Sequence, residues 1–196
     1  MPSVPSLPTR AEPPAVPPGA RDVSIPLDAV LRLALLPALL LLALPLLLFA
    51  LRWGGGPLWD SAAGLGGLAR TLGGFTLLIV AHELVHTAGW VVCGRLPLRA
   101  IRFGLDAKTL SPYARALVPM RARAYRIGAA LPLLLTGVLP WLVALARGDG
   151  LLALLGALLI SGAVGDLLVL WAIRAVPADA RVLDHPTSAG CYVLPG

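Results

Sequence analysis

Four long apolar stretches decide what this chain can fold into. They run from Leu33 to Leu51, Thr71 to Gly94, Ile127 to Ala146 and Leu151 to Ile173. Each is long enough to cross a hydrocarbon core of about 30 Å as a helix. The whole chain is 58% hydrophobic and 13% charged, where a soluble domain carries about a quarter charged residues. The expected fold class is therefore an all-α integral membrane protein, with about four transmembrane helices and a small β-containing cytoplasmic loop. Pro37 and Pro45 fall inside the first stretch, and membrane helices tolerate them as kinks. That stretch begins late and is longer than a typical signal h-region, so it reads as a retained span.

Three domains are expected. Residues 1–26 hold eight prolines and almost no apolar periodicity, the composition of a disordered tail. Residues 27–174 form the four-span core, and residues 175–196 a cytoplasmic C-terminal tail. Between the first two spans, residues 52–70 read as a glycine-rich linker with Trp53 and Trp59 as interfacial anchors. Trp90, Trp141 and Trp171 lie near span ends and read as anchors too. Within residues 95–126, Leu98–Phe103 and Ala114–Val118 alternate enough to be short strands, separated by Ser111-Pro112.

Four spans place both termini and the central loop on one side. That side receives Arg10, Arg21, Arg32, Arg174, Arg181 and eight basic residues between Arg95 and Arg126, against Arg52, Arg70 and Arg147 opposite. By the positive-inside rule both termini are cytoplasmic. The net charge of +6 is thus accounted for by topology, and no nucleic-acid partner is expected. Two cysteines, Cys93 and Cys191, are too few for a disulfide framework and read as unpaired thiols.

The second span carries His82-Glu83-Leu84-Val85-His86, with two of the chain's three histidines and one of its two glutamates. On a helix, residues four apart share a face, so both imidazoles can bind one cation. Glu83 is displaced by about 100° from His82, where it reaches water beside the cation rather than the cation itself. This H-E-x-x-H spacing is that of zinc peptidases. Ionisable groups at membrane depth are costly, and by default mark function.

Asp166, on the fourth span, is the remaining ionisable group at that depth. His86 lies nine residues before Arg95 and Asp166 eight before Arg174, roughly 13 and 12 Å from the same membrane face at helical rise. Ser161, Gly162 and Gly165 would let the fourth span approach a neighbour closely. Asp166 is then a candidate third ligand, the alternative being an ordinary pair with Arg or His. His185 lies outside the spans and reads as tail surface, and Cys93 lies two turns beyond His86, too far to join the same cation.

The pentapeptide, the Gly165-Asp166 pair and the Asp184-His185-Pro186 to Gly190 segment together resemble the DUF3267 putative zincin peptidase family, itself similar to site-2-type intramembrane metalloproteases. The resemblance covers roughly residues 68–195. It implies zinc held by His82, His86 and Asp166, with Glu83 activating water. The chain departs from site-2 proteases in having Leu167 rather than Gly after Asp166, and in lacking a PDZ-like insertion.

The expected function is that of a membrane-embedded Zn2+ metallopeptidase hydrolysing membrane-associated or transmembrane substrates, with lipid bilayer and a membrane protein or peptide as partners. One alternative is a non-catalytic, metal-stabilised membrane scaffold or accessory subunit; another is a small metal-transport component. Intact Glu83 favours the enzyme, since structural binding needs only the ligands. The Arg, Ala, Leu, Gly and Pro bias fits high-GC coding and hence a bacterial plasma membrane.

Overall fold

The computed structural model describes residue 16, residues 18–106 and residues 111–196. Four helices are long and apolar enough to cross a membrane: Leu27–Trp53, Gly64–Gly94, Ala122–Arg147 and Gly150–Ala172. The chain is a multi-pass membrane protein, predominantly helical with small sheets. The first span, α1 (Leu27–Trp53), is apolar all round and leaves most of its leucines exposed, as a helix facing lipid does. Pro37 and Pro45 lie inside it without ending it.

The linker expected at residues 52–70 is mostly helical. A short helix α2 (Gly56–Ala62) is followed at once by α3 (Gly64–Gly94), so Arg70 lies inside the second span. The third span is α4 (Ala122–Pro132), a π-helical turn (Leu133–Val138) and α5 (Leu139–Arg147). Gly148 closes α5 at φ 75°, a left-handed conformation that glycine adopts without strain. Asp149 then caps α6 (Gly150–Gly162) by accepting from the Leu152 amide at 3.0 Å. The fourth span breaks at Ala163 and continues as α7 (Val164–Ala172).

Strands gather at one end of the bundle. These are β1 (Arg21–Asp22), β2 (Ile25–Pro26), β3 (Ile101–Asp106), β4 (Ser111–Ala116), β5 (Met120–Arg121), β6 (Arg181–Asp184), β7 (Ser188–Ala189) and β8 (Cys191–Val193). One antiparallel sheet has the order β1-β8-β6-β5, while β2 pairs with β7 and β3 with β4. A single sheet thus joins the N-terminal segment, the C-terminal segment and the loop before the third span. All three lie on one side of the bundle, as an even number of spans requires.

Two expectations change here. Residues 1–15 and 17 of the proline-rich segment lie outside the described residues, but Arg21–Asp22 and Ile25–Pro26 are strands. They gain order by hydrogen bonding to β8 and β7, a long-range partnership invisible in local composition. The hairpin also falls elsewhere than expected. Leu98–Ala100 is a 3-10 turn, and Ser111-Pro112 begins β4 instead of separating two strands. Proline fits there because the Ala116 amide points away from β3, to Asp184 at 3.2 Å. By alternation position 112 faces the same outer edge, where no ladder donor is needed.

The strand layer packs on the helix ends through one core. It holds Trp90, Leu96, Ile101, Met120, Tyr125, Ile173, Val182 and Cys191 among its buried members. Helix ends are tied into the same layer. The first amides of α4, Ala122 and Arg123, donate to the carbonyls of Ala180 and Ala178 at 2.9 Å each, which satisfies groups that a helix start leaves open. The Arg126 guanidinium donates to the carbonyls of Ile173 and Val176, placing a cation where the dipole of α7 is negative.

Candidate metal centre

Four elements converge on the second span's histidines. His82 and His86 are both buried, one turn apart on α3, with ring centroids 4.9 Å from each other. Asp166 reaches them from the first turn of α7. Its Oδ2 lies 3.1 Å from His82 Nε2 and its Oδ1 3.3 Å from His86 Nε2. The three side chains offer ligand atoms within 4.8 Å of one another. Two imidazole nitrogens and a carboxylate around a shared centre form a donor set that can coordinate a metal ion.

The opposite nitrogens explain why the rings point this way. His86 Nδ1 donates to the carbonyl of Gly128 at 2.9 Å. His82 Nδ1 lies 3.3 Å from the Thr136 hydroxyl, whose own proton goes to the Pro132 carbonyl at 2.8 Å. A hydroxyl has one proton to give, so Thr136 must accept from His82 Nδ1–H. Both rings therefore carry a proton on Nδ1 and turn their Nε2 atoms toward Asp166. Outer contacts of this type fix the tautomer and orientation of metal-binding histidines.

Thr136 belongs to the π-helical turn, a distortion that often accompanies functional sites. Gly128 serves through its lack of a side chain. A Cβ there would meet the Trp90 ring at 2.2 Å, and one on Gly89 would meet the Gly128 Cα at 2.8 Å. The two glycines let α3 and α4 cross closely enough for the His86–Gly128 hydrogen bond. Trp90 is consequently buried, stacked between His86 at 5.4 Å and Tyr125 at 5.9 Å. It is a packing residue of the site, not the interfacial anchor expected. Trp141 likewise turns inward, donating to the Pro45 carbonyl at 3.1 Å. Trp171 remains exposed, with the Arg174 guanidinium 4.2 Å above its ring.

The centre opens into a cavity of about 480 Å³ between the helices and the strand layer. Glu83 lines it, its carboxylate facing the Ala114 amide of β4. Tyr113 and Arg115 of β4 form one wall, and the segment from Asp184 to Gly190 another. Arg115 donates to the Pro186 carbonyl at 2.7 Å, which joins the walls. Gly162 and Gly165 also line the cavity, and a Cβ on either would meet nothing within 4 Å. They leave space beside Asp166 instead of allowing close helix packing, contrary to expectation. Ser161 does contact a neighbour, donating to the Ala38 carbonyl at 2.9 Å.

His185 lies at the cavity wall but outside the cluster. Its Nδ1 accepts from the amides of Thr187 and Ser188 at 3.1 and 2.8 Å, and its Nε2 lies 2.8 Å from the Tyr192 hydroxyl. Both nitrogens are engaged locally. Cys93 is exposed at the far end of α3, beside Arg95, Arg121 and Arg123.

Residues 75–181 match the protein family described as DUF3267, Putative zincin peptidase. The chain belongs to this family. The match spans more than half of the chain and includes the histidine pair, Asp166, Thr136, Gly128 and the β3–β4 hairpin. No curated protein and no solved structure gives a significant match to it. Zincin family membership and a His-His-Asp cluster in a membrane-type helical fold together support a membrane metallopeptidase.

Proposed function

We propose that the chain is a zinc-dependent endopeptidase of membrane-associated or transmembrane polypeptides. In this reading His82, His86 and Asp166 hold Zn2+ and Glu83 is the catalytic base. The observation that carries it is the pair of Nε2 atoms, oriented by Gly128 and Thr136 and turned to one carboxylate. Two nitrogens and one oxygen are a common catalytic zinc set, which leaves a further position open. When bound, zinc supplies a Lewis acid that polarises a peptide carbonyl and lowers the pKa of water.

The protein's own groups do the rest. Glu83 is not one of the three clustered side chains, and its carboxylate, which faces the Ala114 amide, has oxygen lone pairs left to accept a proton from water and return it to the leaving amide nitrogen. Asp166 brings a negative charge to the two rings, which would offset part of the charge of a bound cation. The apolar helices around them exclude bulk water, which strengthens each of these interactions.

The outer edge of β4 suits an extended substrate. The hairpin's pairing to β3 occupies only one side of β4. The Ala114 amide and carbonyl face the cavity next to Glu83, where a peptide strand would align its backbone with the centre. Unwinding is required of a helical substrate, since a helix has no free backbone groups to add to an edge.

The strand layer is assigned to the cytoplasm because the central loop carries eight basic residues against one acid, Asp106. A bacterial plasma membrane is the expected location. The test is cleavage of membrane-protein segments by purified protein with and without zinc. Glu83→Gln should keep the metal and lose cleavage; cleavage that survives the change overturns the role given to Glu83.

A further inference from the structure

Asp184 is a carboxyl group that the proposed chemistry does not use, yet it joins three walls of the cavity. It ends β6 in the C-terminal segment, half-buried. Its Oδ2 accepts from the Ala116 amide of β4 at 3.2 Å, and its Oδ1 lies 2.8 Å from the Tyr125 hydroxyl on α4. The same hydroxyl lies 3.0 Å from the Gly190 carbonyl. Among the described residues, no cation forms an ion pair with Asp184.

Counting protons decides the state of this group. Tyr125 has one hydroxyl proton and faces two acceptors. If Asp184 were ionised, one of the two contacts would set lone pair against lone pair in a mostly enclosed place. With a proton on Asp184 Oδ1, the carboxyl donates to Tyr125, Tyr125 donates to Gly190, and Oδ2 still accepts from Ala116. Every group is then satisfied.

We infer that protonated Asp184, acting through Tyr125, is a positioning residue that locks the substrate-facing edge of β4 and the C-terminal segment onto the third span. Loss of its proton releases that lock. The position matters because Ala116 lies two residues along the same edge from Ala114, which faces Glu83. Tyr125 in turn stacks on Trp90 and through it on His86.

The surroundings agree. Burial pushes the Asp184 carboxyl up to about 6, even though its contacts with Tyr125 and the Ala116 amide pull the other way. The groups facing it are Tyr125 from α4, Arg115 from β4, His86 from α3 at longer range, and Cys191 from β8. His185 follows it in the chain. Arg115 is committed to the Pro186 carbonyl, and burial pushes the Cys191 thiol up to about 12, so it stays neutral.

The inference draws its functional meaning from the peptidase reading, but its test needs no substrate. Full-length protein in lipid nanodiscs is followed by hydrogen exchange across β4 and β6, with rates corrected for intrinsic pH dependence. Protection in the wild type should fall as pH rises above the transition, by up to roughly tenfold per pH unit, the limit for one proton. Asp184→Asn, which stays neutral, should hold protection constant. Infrared difference spectra should show a protonated carboxyl band below the transition that Asp184→Asn lacks. A wild-type protection that does not change with pH, or the same change persisting in Asp184→Asn, overturns the inference. If Asp184→Asn fails to fold, the wild-type infrared band decides: its absence at low pH overturns the proposal. Absence of peptide cleavage would count against the peptidase reading alone.

Discussion

Thr136 and His82 share a hydrogen bond whose direction is set by a third residue. Because the Thr136 proton is taken by the Pro132 carbonyl at 2.8 Å, the 3.3 Å contact with His82 Nδ1 can run only from the ring to the hydroxyl. Thr136→Val keeps the shape and removes the acceptor. Outer partners of metal-binding histidines typically contribute about 10–100-fold in affinity. Zinc titration against a competing chelator should show a loss of that size in Thr136→Val; unchanged affinity would mean that the bond does not orient His82 for metal.

Gly128 has two tasks: its carbonyl receives His86 and its missing Cβ makes room for Trp90. Gly128→Ala puts a methyl group 2.2 Å from the indole, so α3 and α4 must separate. Overpacking of this kind costs about 1–3 kcal/mol. The thermal midpoint should fall, and zinc affinity should fall with it because the 2.9 Å His86 bond stretches. A variant that melts lower but binds zinc normally would show that the crossing supports only the fold.

Asp184 predicts a pH dependence of stability with a definite sign. Its folded-state pKa, about 6, lies above the ordinary 3.8. Between those values the folded chain holds a proton that the unfolded chain has released, so stability falls as pH rises through the window and levels off above it. The difference corresponds to about 3 kcal/mol at 1.36 kcal/mol per unit. Melting curves of wild type and Asp184→Asn should diverge across this range. Parallel curves would show that another group carries the dependence.

The spans and the histidine pair were legible because their signals are local. A run of leucines states its own burial preference, and four-residue spacing states its own face. Asp166 was found by depth, since its distance from the membrane face matches that of His86. Thr136 carried a signal that went unread: it is the lone hydroxyl residue between Ile127 and Ala146, and polar groups in lipid seek partners. The strand layer was harder to foresee. β1, β2, β7 and β8 are two or three residues long, and they become strands only by pairing across almost the whole chain. Trp90 was misread for a related reason, because its neighbours Gly128 and Tyr125 come from a different span.

The central claim is that His82, His86 and Asp166 hold one zinc ion together. Metal content of the purified, zinc-loaded protein tests it most directly, comparing wild type with Asp166→Asn and Glu83→Gln. The expected result is one zinc per chain in the wild type and in Glu83→Gln, and a marked loss in Asp166→Asn. Equal zinc in the wild type and Asp166→Asn would remove Asp166 from the site and contradict the account.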